Sequence, residues 1–131
     1  MTDRELISQA QEAMKYAYVP YSRFPVGAAI ECTDGTVITG CNVENAALGS
    51  TVCAERIAAL KAVSSGHRNF ARIAICSKSM DYCTPCGACR QVLSEFAPDM
   101  EVLCARVDGR YVSYNLRDLL PAAFGPNSLT T

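Results

Sequence analysis

The chain has 131 residues, half of them apolar, with a formal net charge of -1, so it is long enough for one domain with a proper core, and we predict a single domain over residues 1–131. The slight acidity offers no basic surface to a polynucleotide, and no apolar run approaches the roughly 20 residues that a membrane-spanning helix needs. No apolar signal region follows the charged first residues, so we expect a cytoplasmic protein without nucleic-acid or membrane partners.

Hydrophobic periodicity predicts alternating helices and strands along the whole chain. Helical spacing extends over four segments, which are residues 3–18, 51–65, 86–97 and 116–124. Strand-like runs cover residues 26–33, 36–42, 70–77, 101–107 and 111–115. The Asp34-Gly35 pair predicts a tight hairpin between the first two strands. We therefore expect an α/β layered domain in which helices flank a sheet of about five strands.

Two short motifs carry the most specific chemistry. Cys53-Ala54-Glu55 is followed further along the chain by Cys86 and Cys89, which are three residues apart on one helix face. Three protein ligands leave one position of a tetrahedral zinc ion open, which is typical of a catalytic site. Glu55 is two residues from a ligand and can carry protons there. This pattern is typical of zinc deaminases that act on nucleobases.

The predicted helices explain why thiols suit this site. Cys53 is expected in the first turn of a helix that Ser50 or Thr51 caps, and Pro85-Cys86 opens the next helix. The positive ends of two helices would then stabilise thiolates. Three thiolates and a zinc dication sum to a charge near -1. Arg56 is therefore predicted to lie behind the ligands and offset that charge.

Cys83 leaves alternatives open. A closed zinc site with four thiolates would use Cys83 together with the other three cysteines, and it would leave Glu55 without a role. An iron–sulfur cluster is disfavoured because no further cysteine follows Cys89 at the usual spacing. Cys32, Cys41, Cys76 and Cys104 are interpreted as small buried thiols, and His67, the only histidine, as a solvated loop residue.

Nearly the whole chain resembles the small homotetrameric cytidine deaminases. The resemblance is carried by five motifs in the order typical of that family, namely YSRFPVGAA (21–29), GCNVENA (40–46), CAER (53–56), PCGACRQ (85–91) and LLPAAF (119–124). It implies a three-layer α-β-α sandwich with a mixed five-stranded sheet. It also implies one Zn²⁺ per subunit, bound by Cys53, Cys86 and Cys89.

The same resemblance implies an activity, which is hydrolytic deamination of cytidine and deoxycytidine to uridine and deoxyuridine in pyrimidine salvage. Glu55 would take a proton from the attacking water and deliver protons to N3 and to the amino group that leaves as ammonia.

The resemblance further assigns residues to the nucleoside. Asn42 and Glu44 would hold the ribose, Phe24 would pack against the pyrimidine ring, and the Ala54 backbone would bond the edge of the base. Phe124 would enter the active site of a neighbouring subunit, so the enzyme would work as a homotetramer with shared sites.

One departure from the family concerns the segment after GCNVENA. Many members carry an aromatic residue there that faces a neighbour's ribose, and this chain has Leu48 and Gly49. We expect weaker contact with the 5' side of the ribose.

Three rival functions remain at this point. A deaminase of antibiotic nucleosides shares the cysteine motifs, although the Phe24 region, Asn42 and Glu44 favour plain cytidine. Deaminases of bases in tRNA or DNA typically have histidine before the Ala-Glu pair and carry basic surfaces. A zinc module without catalytic activity predicts a metal site closed to water.

Overall fold

The computed structural model describes residues 1–129. The helices are α1 (Asp3–Met14), α2 (Ala54–Ser64), α3 (Gly87–Phe96) and α4 (Leu116–Leu119). The strands are β1 (Val26–Cys32), β2 (Val37–Cys41), β3 (Phe70–Ser77), β4 (Glu101–Ala105) and β5 (Tyr111–Asn115).

All five strands form one mixed sheet in the order β2-β1-β3-β4-β5. β3 and β4 are parallel, and the other three neighbouring pairs are antiparallel. A parallel pair needs a crossover connection, and α3 supplies it. The predicted α/β fold with a mixed five-stranded sheet is therefore confirmed.

Helices cover both faces of this sheet. On one face, the buried side of α1 packs against alternate strand residues, among them Ala29, Ala74 and Leu103. On the other face, α2 and α3 pack against the intervening residues, among them Ile30, Ile73 and Ile75. The period-2 alternation of strand side chains divides the core in this way. The result is the predicted three-layer arrangement.

Gly40 sets the position of α2 on the sheet. A Cβ atom at this residue would lie 2.5 Å from the carbonyl oxygen of Ala54 and 2.6 Å from the backbone nitrogen of Ala58. Only glycine permits so close an approach of strand and helix. The first turn of α2, which follows Cys53, is thereby held directly against β2.

The predicted helix bounds need three corrections. α1 ends at Met14 rather than residue 18, because its last turn tightens and Tyr18 then pairs with Val43. α2 begins at Ala54, since Val52 also pairs with Val43 and keeps the chain extended; neither Ser50 nor Thr51 is its cap. α4 has only four residues and ends before Pro121.

Within residues 1–129, no helix combines the length and apolar character needed to cross a membrane.

Candidate active site

The N-termini of two helices on the same face of the sheet bring three cysteines together. Cys53 is the N-cap residue of α2 and Cys86 is the N-cap residue of α3, and neither side chain caps its own helix. Cys89 lies in the first turn of α3 and is fully buried. Backbone N–H groups and the positive helix ends both favour negative charge at such positions.

The sulfur positions fit a zinc ion. Cys86 Sγ lies 3.8 Å from Cys53 Sγ and 3.4 Å from Cys89 Sγ, and all three sulfurs lie within 4.8 Å of one another. Zinc–sulfur bonds of about 2.3 Å at tetrahedral angles would place sulfurs about 3.8 Å apart. The donor set and its spacing therefore suit zinc with one coordination position left for a non-protein ligand.

Hydrogen bonding among the thiols moves two pKa values in opposite directions. The pKa of Cys53 falls to about 5, chiefly because Cys89 donates a hydrogen bond to its sulfur, with further lowering by Arg56 and Cys86. The pKa of Cys89 is raised by that same hydrogen bond and by burial. Of these two thiols, Cys53 is therefore the one that ionises more readily.

Arg56 lies beside Cys53. Its Nη2 lies 3.6 Å from Cys53 Sγ and 3.5 Å from the carbonyl oxygen of Thr51. The hydrogen bond to Cys53 raises the pKa of the guanidinium further above its usual range. The cation predicted to offset the thiolates is thus adjacent to one of them.

A cavity of about 200 Å³ opens beside the cysteines. It is lined by Phe24, Val26, Asn42, Thr51, Cys53, Ala54, Glu55, Cys83, Thr84 and Cys86. Glu55 is only 4% exposed, and burial raises the pKa of its carboxyl group above the usual range. A buried carboxyl group whose pKa is raised in this way suits the uptake and return of a proton.

Cys83 belongs to the wall of this cavity rather than to the thiol group. Among residues 1–129, the cluster of potential ligand atoms at this site comprises Cys53, Cys86 and Cys89 without Cys83. The geometry thus disfavours the closed site with four thiolates.

Asn42 and Glu44 hold the segment that carries Phe24. Asn42 accepts a 2.9 Å hydrogen bond from the Val26 backbone nitrogen and donates one of 2.9 Å to the Phe24 carbonyl oxygen. Glu44 accepts from the Tyr21 and Ser22 backbone nitrogens and from the Ser22 hydroxyl group. Both side chains are therefore bound to this loop, and ligand contacts would use the acceptor and donor positions that remain.

The two predicted aromatic residues lie in different places. Phe24 lines the cavity beside the cysteines, whereas Phe124 is exposed and lines a separate cavity near α4. Gln91 Nε2 donates a 2.8 Å hydrogen bond to the Phe124 carbonyl oxygen, which ties this segment to α3. Leu48 is exposed in the turn before Cys53. Within the subunit, Phe124 and Leu48 are outside the cavity wall.

Sequence reasoning missed several members of that wall. Val26 and Thr84 were given no role, Thr51 was expected only as a candidate helix cap, and Cys83 only as the fourth thiolate of a closed zinc site. Their only sequence signal is proximity to the cysteine motifs and to Phe24.

Comparison with known proteins agrees with this geometry. Residues 1–105 match the protein family described as the cytidine and deoxycytidylate deaminase zinc-binding region. The chain is 44% identical over 131 residues to a cytidine deaminase of Sporosarcina psychrophila, covering 99% of this chain and 96% of that protein. It is 48% identical over 124 residues to a cytidine deaminase of Halalkalibacterium halodurans, covering 93% and 94%.

The chain is also similar to a solved structure and to a more distant relative. The crystal structure of cytidine deaminase from Burkholderia pseudomallei superposes with a TM-score of 0.92 at 46% identity, covering 95% of this chain and all of that chain. A blasticidin-S deaminase of Bacillus cereus is 33% identical over 133 residues, covering 95% of this chain and 94% of that protein.

Proposed function

We propose a role for each site residue of this chain, which belongs to the cytidine and deoxycytidylate deaminase zinc-binding family and deaminates cytidine with zinc as its cofactor. We also propose that deoxycytidine is a substrate. One observation carries the proposal. Three thiols at two helix N-termini border a small cavity whose wall also contains the buried carboxyl group of Glu55.

Cys53, Cys86 and Cys89 are the proposed zinc ligands. Zinc bound there supplies the Lewis-acid chemistry that makes water nucleophilic near neutral pH. Arg56 is proposed to compensate the excess negative charge of three thiolates, because its guanidinium group lies beside Cys53.

Glu55 is the proposed proton carrier. Its carboxylate accepts a proton from the attacking water as the water oxygen bonds to C4 of cytosine, and that proton passes to N3. The second proton of the water passes through Glu55 to the amino group, and the C4–N bond breaks to release ammonia. Cytidine and water thus yield uridine and ammonia. The burial of Glu55 supports this role, since bulk water would otherwise exchange the proton.

Residues of the cavity wall are proposed to hold the nucleoside. Phe24 packs against the pyrimidine ring, the Ala54 backbone bonds the edge of the base, and Asn42 and Glu44 bond the ribose. The cavity of about 200 Å³ supports a ligand of one ring with part of the ribose outside it. Asn42 and Glu44 also fix the Phe24 loop, so they couple ribose binding to base packing.

We propose that the enzyme is a homotetramer in which Phe124 completes a neighbour's site. The exposed position of Phe124, away from its own subunit's cavity, supports a role between subunits. We also propose a cytoplasmic role in pyrimidine salvage, which the eight free cysteines support because a reducing compartment keeps thiols unpaired.

The decisive substrate test is ammonia release by the purified protein loaded with zinc. Cytidine and deoxycytidine should be converted with a loss of one ammonia each, whereas free cytosine should react poorly because it lacks the ribose. Blasticidin S is the rival substrate. Turnover of blasticidin S without turnover of cytidine would replace the proposed substrate class and would leave the proposed chemistry unchanged.

A further inference from the structure

A second group of ligating side chains lies at the other end of α2. Cys32 ends β1, Asp34 lies in the hairpin turn that follows, and His67 lies in the loop between α2 and β3. Their potential ligand atoms all lie within 4.8 Å of one another. His67 is the only histidine of the chain, and it lies in a loop, as predicted, where its side chain is half-buried.

The backbone fixes the first two members of this group. The pairing of β1 with β3 shifts its register between Glu31 and Cys32. Cys32 then donates a 2.8 Å backbone hydrogen bond to Thr36, and Gly35 donates one of 3.0 Å to Cys32. Gly35 has a φ of 90°, which the tight turn at Asp34 requires. Cys32 and Asp34 are therefore held on a closed hairpin.

The loop that carries His67 is fastened to that hairpin. His67 donates a 2.8 Å backbone hydrogen bond to Ala62 in the last turn of α2. The Thr33 backbone nitrogen donates a 2.9 Å hydrogen bond to the Asn69 carbonyl oxygen, which joins the two segments. The three side chains therefore converge on a framework of backbone hydrogen bonds.

The arrangement of their atoms suits a small cation. Asp34 Oδ1 accepts a 2.9 Å hydrogen bond from the Thr36 backbone nitrogen, and its other oxygen lies 3.5 Å from His67 Nδ1. Two ligands on one tetrahedral zinc, each with a bond of about 2.0 Å, would be about 3.3 Å apart. Cys32 is buried, whereas Asp34 is exposed, so the group opens to solvent on the side of Asp34.

We propose that Cys32, Asp34 and His67 form a second zinc-binding site, separate from the catalytic cysteines, with a fourth position open to water. Thiolate, carboxylate and imidazole are all zinc ligands. A thiolate, a carboxylate and a neutral imidazole also balance the charge of a zinc dication. Binding releases the Cys32 thiol proton to solvent. The ion would link the β1–β2 hairpin to the end of α2, which would stabilise the fold.

Metal content and competition with a chromophoric zinc chelator test this site. The parent protein should retain two zinc ions per chain, and His67→Gln should retain one. Asp34→Asn should bind the second ion at least about tenfold more weakly. Cys41→Ser is the matched control, since it removes another cysteine of the same hairpin and should still retain two ions. Zinc added beyond the first equivalent should raise the melting temperature of the parent but not that of His67→Gln.

Two results would overturn the proposal. One is a parent protein that binds a single zinc ion per chain. The other is a second ion that His67→Gln and Asp34→Asn bind as tightly as the parent does, which would make that ion adventitious. Cytidine turnover is measured for each variant and should be unchanged in His67→Gln. This measurement separates a failure of the second-site proposal from a failure of the proposed catalytic site.

Discussion

The guanidinium group of Arg56 lies 3.6 Å from the sulfur of Cys53, three residues before it in the chain. Among residues 1–129, Arg56 Nε is buried without a hydrogen-bond partner, so the side chain tolerates partial dehydration to reach this position. A cation in this place would offset the net charge near -1 that three thiolates and a zinc dication carry together. The sequence-based expectation for Arg56 thus has a concrete geometric form.

Arg56→Gln should therefore lower the affinity for zinc, the turnover number, or both, by about 10- to 100-fold. Arg56→Lys keeps the charge but not the planar donor group, so we expect an intermediate loss. Arg4→Gln, on the exposed side of α1, is the control for loss of one positive charge. Zinc retention against a chelator and steady-state kinetics measure these effects. Equal behaviour of Arg56→Gln and Arg4→Gln would contradict the role.

Gly40→Ala should damage both the fold and the site. The added Cβ would contact backbone atoms of Ala54 and Ala58 at 2.5 and 2.6 Å, so α2 must shift on β2. We expect a loss of about 1–3 kcal/mol in the free energy of unfolding, together with reduced turnover, because the displaced turn carries Glu55. Denaturant unfolding measures the first effect.

Gly49→Ala is the control for that substitution, since no atom lies within 4 Å of a Cβ built at Gly49. Its unfolding free energy should stay within about 0.5 kcal/mol of the parent value. If Gly40→Ala proved equally mild, the close packing of α2 on β2 would not position the site as described.

Local sequence patterns predicted most of the fold because its strands are short and well delimited. β3 and β5 have the predicted bounds, since each is a run of strand-forming residues between turn signals. The start of α2 was predicted wrongly because it depends on the pairing of Val43 with Val52, which no local pattern reveals. Similarly, His67 is distant in sequence from Asp34, so only the folded chain shows their proximity.

The grouping of Cys53, Cys86 and Cys89 was predictable because their spacing in the sequence reflects ligand chemistry rather than packing. The position of Phe124 could not be predicted in the same way. Its sequence motif says nothing about which cavity it lines, and within the subunit it is distant from the site wall.

The proposed sharing of sites between subunits can be tested by mixing two impaired variants. Phe124→Ala alone should lower turnover at least about fivefold, because an aromatic contact with a base contributes about 1–3 kcal/mol. Glu55→Gln alone should be nearly inactive. In random mixed oligomers, about a quarter of the sites would combine an intact Glu55 with a neighbour's intact Phe124.

Co-expressed subunits should therefore recover activity above that of either variant alone. Cytidine turnover of the purified mixed oligomers measures this recovery, and their mass in solution reports the number of subunits. A mixture no more active than the average of its components would place Phe124 outside the neighbour's site.

Leu48→Tyr should sharpen discrimination at the 5' position of the ribose. A phenol hydroxyl could hydrogen-bond the 5'-hydroxyl group, which Leu48 cannot do, and a neutral hydrogen bond is worth about 2- to 10-fold in affinity. We expect the ratio of kcat/KM for cytidine over 5'-deoxycytidine to rise by that factor. Leu48→Phe, which adds a ring without a hydroxyl group, is the control. A parent protein that already discriminates as strongly as Leu48→Tyr would rule out the expected weaker contact with the 5' side of the ribose.

Glu55 is proposed to carry protons at a zinc site built from three cysteines. Ammonia release from cytidine by Glu55→Gln, loaded with zinc, tests it most directly, with Glu95→Gln on the exposed surface of α3 as the control. We predict that Glu55→Gln keeps its zinc and loses at least about 10²- to 10⁴-fold in turnover, while Glu95→Gln matches the parent. Parent-like turnover by Glu55→Gln with its zinc in place would contradict the account.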